Sequence, residues 1–351
     1  MENRSKSPRE KDMRLTGKFV LPSLLALAFA AGASAQETTL RLSNWLPPSH
    51  PVVKDIMVPW AEQVAEATEG RVAVQILDAP LGPPPAHFDL VASGAADIGF
   101  SAHSYTPGRF TLTEIAELPF LTPSSEANSL ALWNVWTEML AEKNEHAGVK
   151  VLALFGHGPG HLFTTDRAVT PLSELSGAKI RVAGAITDQL VQGLGMVSVQ
   201  APSSESYELL SNGVADGIVF PYESVPFFRL DDVVKNGLRV EGGMYNVSFF
   251  FVMNQARFDS LSEADRAAID KVSGEALVRM AGKAWDAADA AGLAALEGKV
   301  SFHDATPEEH AVIEEDAKAI YDRVAQGYAA KGVDFEAALA MFRDELGKAR
   351  Q

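Results

Sequence analysis

Leu90-Val91-Ala92-Ser93-Gly94-Ala95-Ala96-Asp97 returns in outline as Leu209-Leu210-Ser211-Asn212-Gly213-Val214-Ala215-Asp216. Each copy reads as an apolar helix end, a glycine that caps it, a small residue, and Ala-Asp before a strand. The copies lie 119 residues apart, too far for a solenoid repeat. The spacing suits two lobes of similar α/β topology.

The flanking sequence agrees with that division. Around the first copy the pattern predicts a strand from Thr38 to Trp45, a helix from Lys54 to Thr68 and a strand from Arg71 to Leu77. A helix from Ala86 to Ser93 and a strand from Asp97 to Phe100 follow. Strands alternating with helices imply a mainly parallel sheet covered by helices. Ser124 to Ala147 reads as one long helix, and Lys150 to Phe155 as a strand. Around the second copy come strands near Ile180–Val182, Ser198–Gln200 and Gly217–Phe220, with helices between them. Val247 to Met253 is an apolar strand whose three phenylalanines, Phe249 to Phe251, read as core. Ser262 to Leu296 reads as helical with a break near Gly282. Thr306-Pro307-Glu308-Glu309 is a capping box opening another helix.

Within the second unit, Gly177-Ala178-Lys179-Ile180-Arg181-Val182-Ala183-Gly184 places an arginine in a short strand between glycines. Arginine offers a planar fork of donors that matches a carboxylate. Strand alternation is expected to keep Lys179 away from the Arg181 side.

The chain has 351 residues, which favours two domains over one core. Arg14 and Lys18, the apolar run Phe19–Ala31 and Ala33-Ser34-Ala35 have the form of a secretory signal peptide, residues 1–35. Its removal takes six cations and three acids and leaves 24 Lys+Arg against 43 Asp+Glu, a net −19. That charge disfavours nucleic acid and anionic lipid as partners. There is no cysteine, so disulfides and thiolate metal sites are excluded. A nucleophile elbow, a P-loop and an H-E-x-x-H motif are also absent from the sequence. His157 and His161 are separated by Gly158-Pro159-Gly160, which prevents a helix from aligning them. No cofactor is implied.

Several stretches together resemble the extracytoplasmic solute receptors of TRAP transporters. They are Leu90 to Gly99, Thr106-Pro107-Gly108-Arg109-Phe110, Leu118-Pro119-Phe120-Leu121, Pro171 to Val182 and Tyr207 to Gly217. The resemblance covers residues 38–346. It implies a two-lobed periplasmic-binding-protein-like α/β fold, with crossing inter-lobe strands and a long C-terminal connecting helix. Residues 36–156 with about 241–282 would form lobe I. Residues 157–240 with about 283–351 would form lobe II and the C-terminal helices. It further implies a periplasmic receptor, not an enzyme, that captures a small organic acid for small and large membrane subunits. A monomer is expected. In that family the arginine of the K-I-R-V strand pairs with the ligand carboxylate, a role that would fall to Arg181.

Three positions depart from the family's sialic-acid receptors. Leu162, Trp45 and Phe220 stand where those receptors carry polar residues. A pocket with fewer polar partners suits one carboxylate on an apolar or aromatic body. The expected site is Arg181 with Trp45 and Phe220 as walls, and His103, Tyr105, His157 and Tyr222 on rim loops. A C4-dicarboxylate or a 2-oxo or 2-hydroxy acid remains an alternative ligand. An importer of another class as partner and, more remotely, a secreted α/β enzyme remain alternative readings.

Overall fold

The computed structural model describes residues 38–348, so the expected signal peptide lies outside the described residues. The first strands are β1 (Thr38–Ser43), β2 (Val72–Ile76), β3 (Ile98–Ala102) and β4 (Val149–Gly156). Shorter ones follow: β5 (His161–Thr164), β6 (Lys179–Val182), β7 (Val197–Gln200), β8 (Gly217–Phe220) and β9 (Asn236–Arg239). The chain then forms β10 (Ser248–Asn254) and β11 (Ser301–Asp304). Two sheets result, ordered β2-β1-β3-β10-β4 and β11-β9-β5-β8-β6-β7. In the first, β1 pairs in parallel with β2 and β3; in the second, β6 pairs in parallel with β7 and β8. The fold is a two-lobed α/β architecture.

The sequence repeat is a repeat of hydrogen bonds. Gly94 and Gly213 both adopt left-handed φ, at 78° and 68°. Ala96 N–H donates to Leu90 O at 3.0 Å, and Ala215 N–H to Leu209 O at 3.0 Å. The two aspartates then grip the neighbouring strand alike. Arg41 N–H donates to Asp97 Oδ2 at 2.7 Å, and Lys179 N–H to Asp216 Oδ2 at 2.9 Å. Arg41 and Lys179 are thus equivalent positions. Two residues further on, Ser43 and Arg181 are equivalent as well.

Two segments cross between the lobes, β4 to β5 and β9 to β10. They run side by side, with Gly160 N–H donating to Tyr245 O at 3.0 Å and Met244 N–H to Gly160 O at 2.9 Å. A Cβ on Gly160 would lie 2.1 Å from the Tyr245 ring, so this crossing requires glycine. The long helix Glu275–Leu296 ties both lobes together. Its Asp286 accepts from Ser125 N and Glu126 N at 2.6 and 3.0 Å, at the start of the helix Ser125–Val135. One turn later, Asp289 accepts from Glu223 N at 3.0 Å, just after β8.

Three local expectations change. The break in the 262–296 helix falls at Gly274, with φ 61°, and Gly282 lies inside the helix. Gly282 is there for packing, since a Cβ would sit 2.4 Å from Glu126 Cα. The helix from Ser125 is regular only to Val135, continues as π and 3-10 turns to Lys143, and stops at left-handed Asn144. That turn brings His146 inward to meet His103 at 2.9 Å. The segment predicted from Lys54 begins earlier, with a π turn Val52–Met57 ahead of the helix Val58–Ala67. The capping box forms as read: Glu309 N donates to Thr306 Oγ1 at 3.2 Å and Thr306 N to Glu309 Oε2 at 3.0 Å.

Candidate ligand-binding site

Arg181 comes from the middle of β6 and is 1 % exposed. Its Nε and Nη2 both donate to the carbonyl of Ala201, at 2.9 and 2.6 Å. Nη1 is buried without a partner among the described residues, and no carboxylate lies within ion-pair distance. The guanidinium stands 4.9 Å from the centre of the Phe220 ring. A buried charge without a counter-ion is costly, so the arrangement is chemically suited to accept an anion. Ala201 holds the fork in place, and Nη1 is left as a free donor.

Arg181 lines a small cavity. The wall is a ring of aromatic contacts. Going one way, Phe220 stacks on Phe228 at 5.7 Å, and Phe228 meets His50 at 6.3 Å. Going the other way, Tyr105 lies edge-on to Trp45 at 6.0 Å, and Trp45 stacks on Phe100 at 6.1 Å. Phe100 stacks on Phe249 at 5.3 Å, and Phe249 on Trp285 at 5.7 Å. His50 and Trp285, 6.0 Å apart, join the two runs. Trp45 is held by its indole N–H on Phe100 O, at 3.2 Å. Tyr105 hydroxyl donates to Ser203 Oγ at 3.1 Å and accepts from Ser203 N–H at 2.9 Å, which joins the two sides of the cleft.

The imidazoles in the wall are neutral. Burial pushes His157 down to about 4, and the nearby Arg181 charge acts in the same direction. Its Nδ1 contacts Gly158 O, an acceptor, so the proton sits on Nδ1 and Nε2 is a free acceptor. Burial lowers His50 to about 3. Behind His50 lies Glu223, whose carboxyl is pushed up to about 7 by burial, with Asp289 adding to the rise.

The cavity therefore gathers Arg181, Trp45, Phe220, Tyr105 and His157. It does not gather His103 or Tyr222. His103 is 2 % exposed in the interior of the first lobe, held by Ser248 Oγ at 2.9 Å and by His146. Tyr222 is not part of the lining and lies tilted against His161, ring centres 4.5 Å apart. Phe249 is wall as well as core. Lys179 is exposed; residues two apart share a face of a strand, so its place at the strand's outer end separates it from the cavity. The sequence reading missed His50, Tyr245 and Trp285. Trp285 had one visible signal, a lone aromatic in an alanine- and glycine-rich helix.

The pattern of bacterial extracellular solute-binding protein family 7 matches residues 42–327. A TRAP periplasmic solute-binding protein from Bordetella bronchiseptica, solved with bound (R)- and (S)-mandelate, is 38% identical with a TM-score of 0.87. The match covers 89% of this chain and 99% of that one. A marine-metagenome TRAP protein described as specific for aromatic acid ligands, solved with 3-hydroxybenzoate, is 30% identical with a TM-score of 0.83. It covers 90% of this chain and 99% of its own. A Comamonas testosteroni protein named outer membrane transporter protein TsaT is 32% identical over 256 residues, 73% of this chain and 76% of that protein. The chain belongs to the family 7 extracellular solute-binding proteins, the receptors of TRAP transporters, which bind solutes and are not an enzyme family.

Proposed function

We propose that this receptor captures an aromatic monocarboxylate, with Arg181 as the carboxylate anchor and Trp45, Phe220 and Phe249 as apolar faces. The observation that carries it is a buried guanidinium, unpaired by any acid, inside an aromatic ring of side chains. Offset or edge contacts with such faces add ~0.5–1.5 kcal/mol beyond burial. Arg181 is the one cation among the described residues lining the cavity, so a second carboxylate has no partner there. The mandelate, 3-hydroxybenzoate and benzoate found in similar receptors support the same chemistry. A 2-hydroxy acid is the second reading, favoured by the free Nε2 of neutral His157 beside Arg181. Delivery to TRAP membrane subunits from the periplasm, as a monomer cut before Gln36, belongs to the same proposal. So does movement of the two lobes about the crossing segments. Residues 335–348 would travel with the first lobe, because Glu345 accepts from Asn134 at 2.6 Å.

The test is calorimetric competition on the mature chain between succinate or malate and benzoate, mandelate or phenylglyoxylate. Tighter binding of the aromatic monocarboxylates is expected. Tighter binding of the dicarboxylates overturns the ligand class and leaves the receptor standing.

A further inference from the structure

We propose that the end of the cavity opposite Arg181 is a second polar subsite, formed by Trp285 Nε1 and His50 Nε2, which selects an aromatic acid carrying an uncharged oxygen, such as a phenolic hydroxyl, on the far side of its ring. The proposal rests on the aromatic-monocarboxylate reading above and says what that ligand carries besides its carboxylate.

Trp285 lines the cavity and is 4 % exposed, yet its indole N–H has no partner among the described residues. That group can only donate, and leaving it buried and unpaired costs about 1–3 kcal/mol. An acceptor brought by the ligand removes that cost. His50 provides a second donor. Its Nδ1 accepts from Val52 N–H at 3.1 Å, which fixes the proton of the neutral ring on Nε2. The nearest acid to Nε2 is Glu223 Oε1 at 3.5 Å, and that oxygen has no hydrogen-bond partner. The His50 donor is therefore engaged only weakly within the protein, by Glu223 at the limit of hydrogen-bond length.

The position of these donors defines the ligand's shape. Phe220 and Phe228 lie between them and Arg181 on one side of the cavity, and His157 lies between on another. A ligand that satisfies both ends has a flat apolar body between two polar ones. The charge at the far end decides what the second group is. No cation lines it, and the buried carboxyl groups of Glu223 and Asp289 lie behind it. A second carboxylate has no cationic partner there. A hydroxyl accepts from both N–H groups without bringing charge.

The experiment compares matched pairs by calorimetry: benzoate with 3- and 4-hydroxybenzoate, and phenylacetate with its 3- and 4-hydroxy forms. Wild type should favour at least one hydroxylated acid over its parent by about tenfold. Trp285→Phe keeps the stacking on Phe249 and should bring that ratio to within about threefold of unity. His50→Gln is the second variant, expected to lower the same ratio. Equal binding of every hydroxylated acid and its parent to wild type overturns the subsite alone. An unchanged ratio in both variants does so too. If no aromatic acid binds at all, the ligand class falls and the subsite with it.

Discussion

Tyr105 and Ser203 are joined twice across the cleft: the phenol donates to Ser203 Oγ at 3.1 Å and accepts from Ser203 N–H at 2.9 Å. Tyr105 follows β3 of the first lobe and Ser203 follows β7 of the second. The pair therefore exists only when the lobes are together. Tyr105→Phe keeps the edge-on contact with Trp45 and removes the latch. Two neutral hydrogen bonds contribute about 1–2 kcal/mol net, so ligand affinity should fall about 5- to 30-fold. The loss should lie in the dissociation rate, measured by stopped-flow displacement. An unchanged rate would show that the latch does not hold the closed form.

Arg181→Ala should abolish most binding, because losing a buried charge partner costs roughly 2–5 kcal/mol. The unliganded protein should keep its melting temperature or gain a little, since an unpaired buried cation is removed. Thermal scans with and without benzoate read both effects. A ligand-induced shift equal to wild type would contradict the anchor.

Gly184 packs against Ser104 across the cleft, and a Cβ there would lie 2.4 Å from Ser104 Cβ. Its backbone is extended, with φ −173°, so substitution brings no conformational strain. The effect of Gly184→Val is then purely steric. Small-angle scattering should show a smaller radius of gyration for wild type with saturating ligand than without. The variant should remain at the larger value. Equal compaction of both proteins would rule out this contact as part of closure.

The interior of the first lobe carries a chain of buried groups, His146, His103, Ser248 and Glu117. Burial lowers His146 to about 3 and raises Glu117 to about 8. The histidine binds fewer protons folded than unfolded, so its contribution is lost as pH falls below 6.5 toward 3. Glu117 binds more protons folded, so its contribution is lost as pH rises from 4.5 through about 8. Glu117→Gln preserves the acceptor for Ser248 N–H and Oγ and removes the second loss. Its stability relative to wild type should increase by about 2–4 kcal/mol from pH 5 to pH 8. Denaturant titrations at both pH values measure it; no change would place Glu117 in a wetter site.

The lobes were readable because each carries its own local signal, a glycine cap followed by an aspartate that holds the next strand. Arg181 was readable because a cation interrupts an apolar strand. His50, Tyr245, Phe249 and Trp285 meet only through the crossing segments and the connecting helix, and no periodicity records that meeting. His103 was placed on a rim because it follows a strand end. Its partner His146 lies 43 residues away, and only the folded chain brings them together. The same limit hid the break at Gly274, where the sequence offers a second glycine, Gly282, inside the helix.

The equivalence of Ser43 and Arg181 makes the two lobes unequal in what they do. Ser43 spends its hydroxyl on its own lobe, meeting His87 Nε2 and Leu81 N–H, each at 3.1 Å. Arg181 keeps a donor for something outside the chain. On the proposed reading one lobe would be the dock and the other the lid. On that reading an arriving anion would meet the charged lobe first, and Trp45, Phe100 and Phe249 of the first lobe would come down on it afterwards. On release the order would reverse: whatever pulls the lid away would leave the acid lying on an opened second lobe, attached through one charged contact. The last barrier to departure is then electrostatic, and it is the step that salt should hasten.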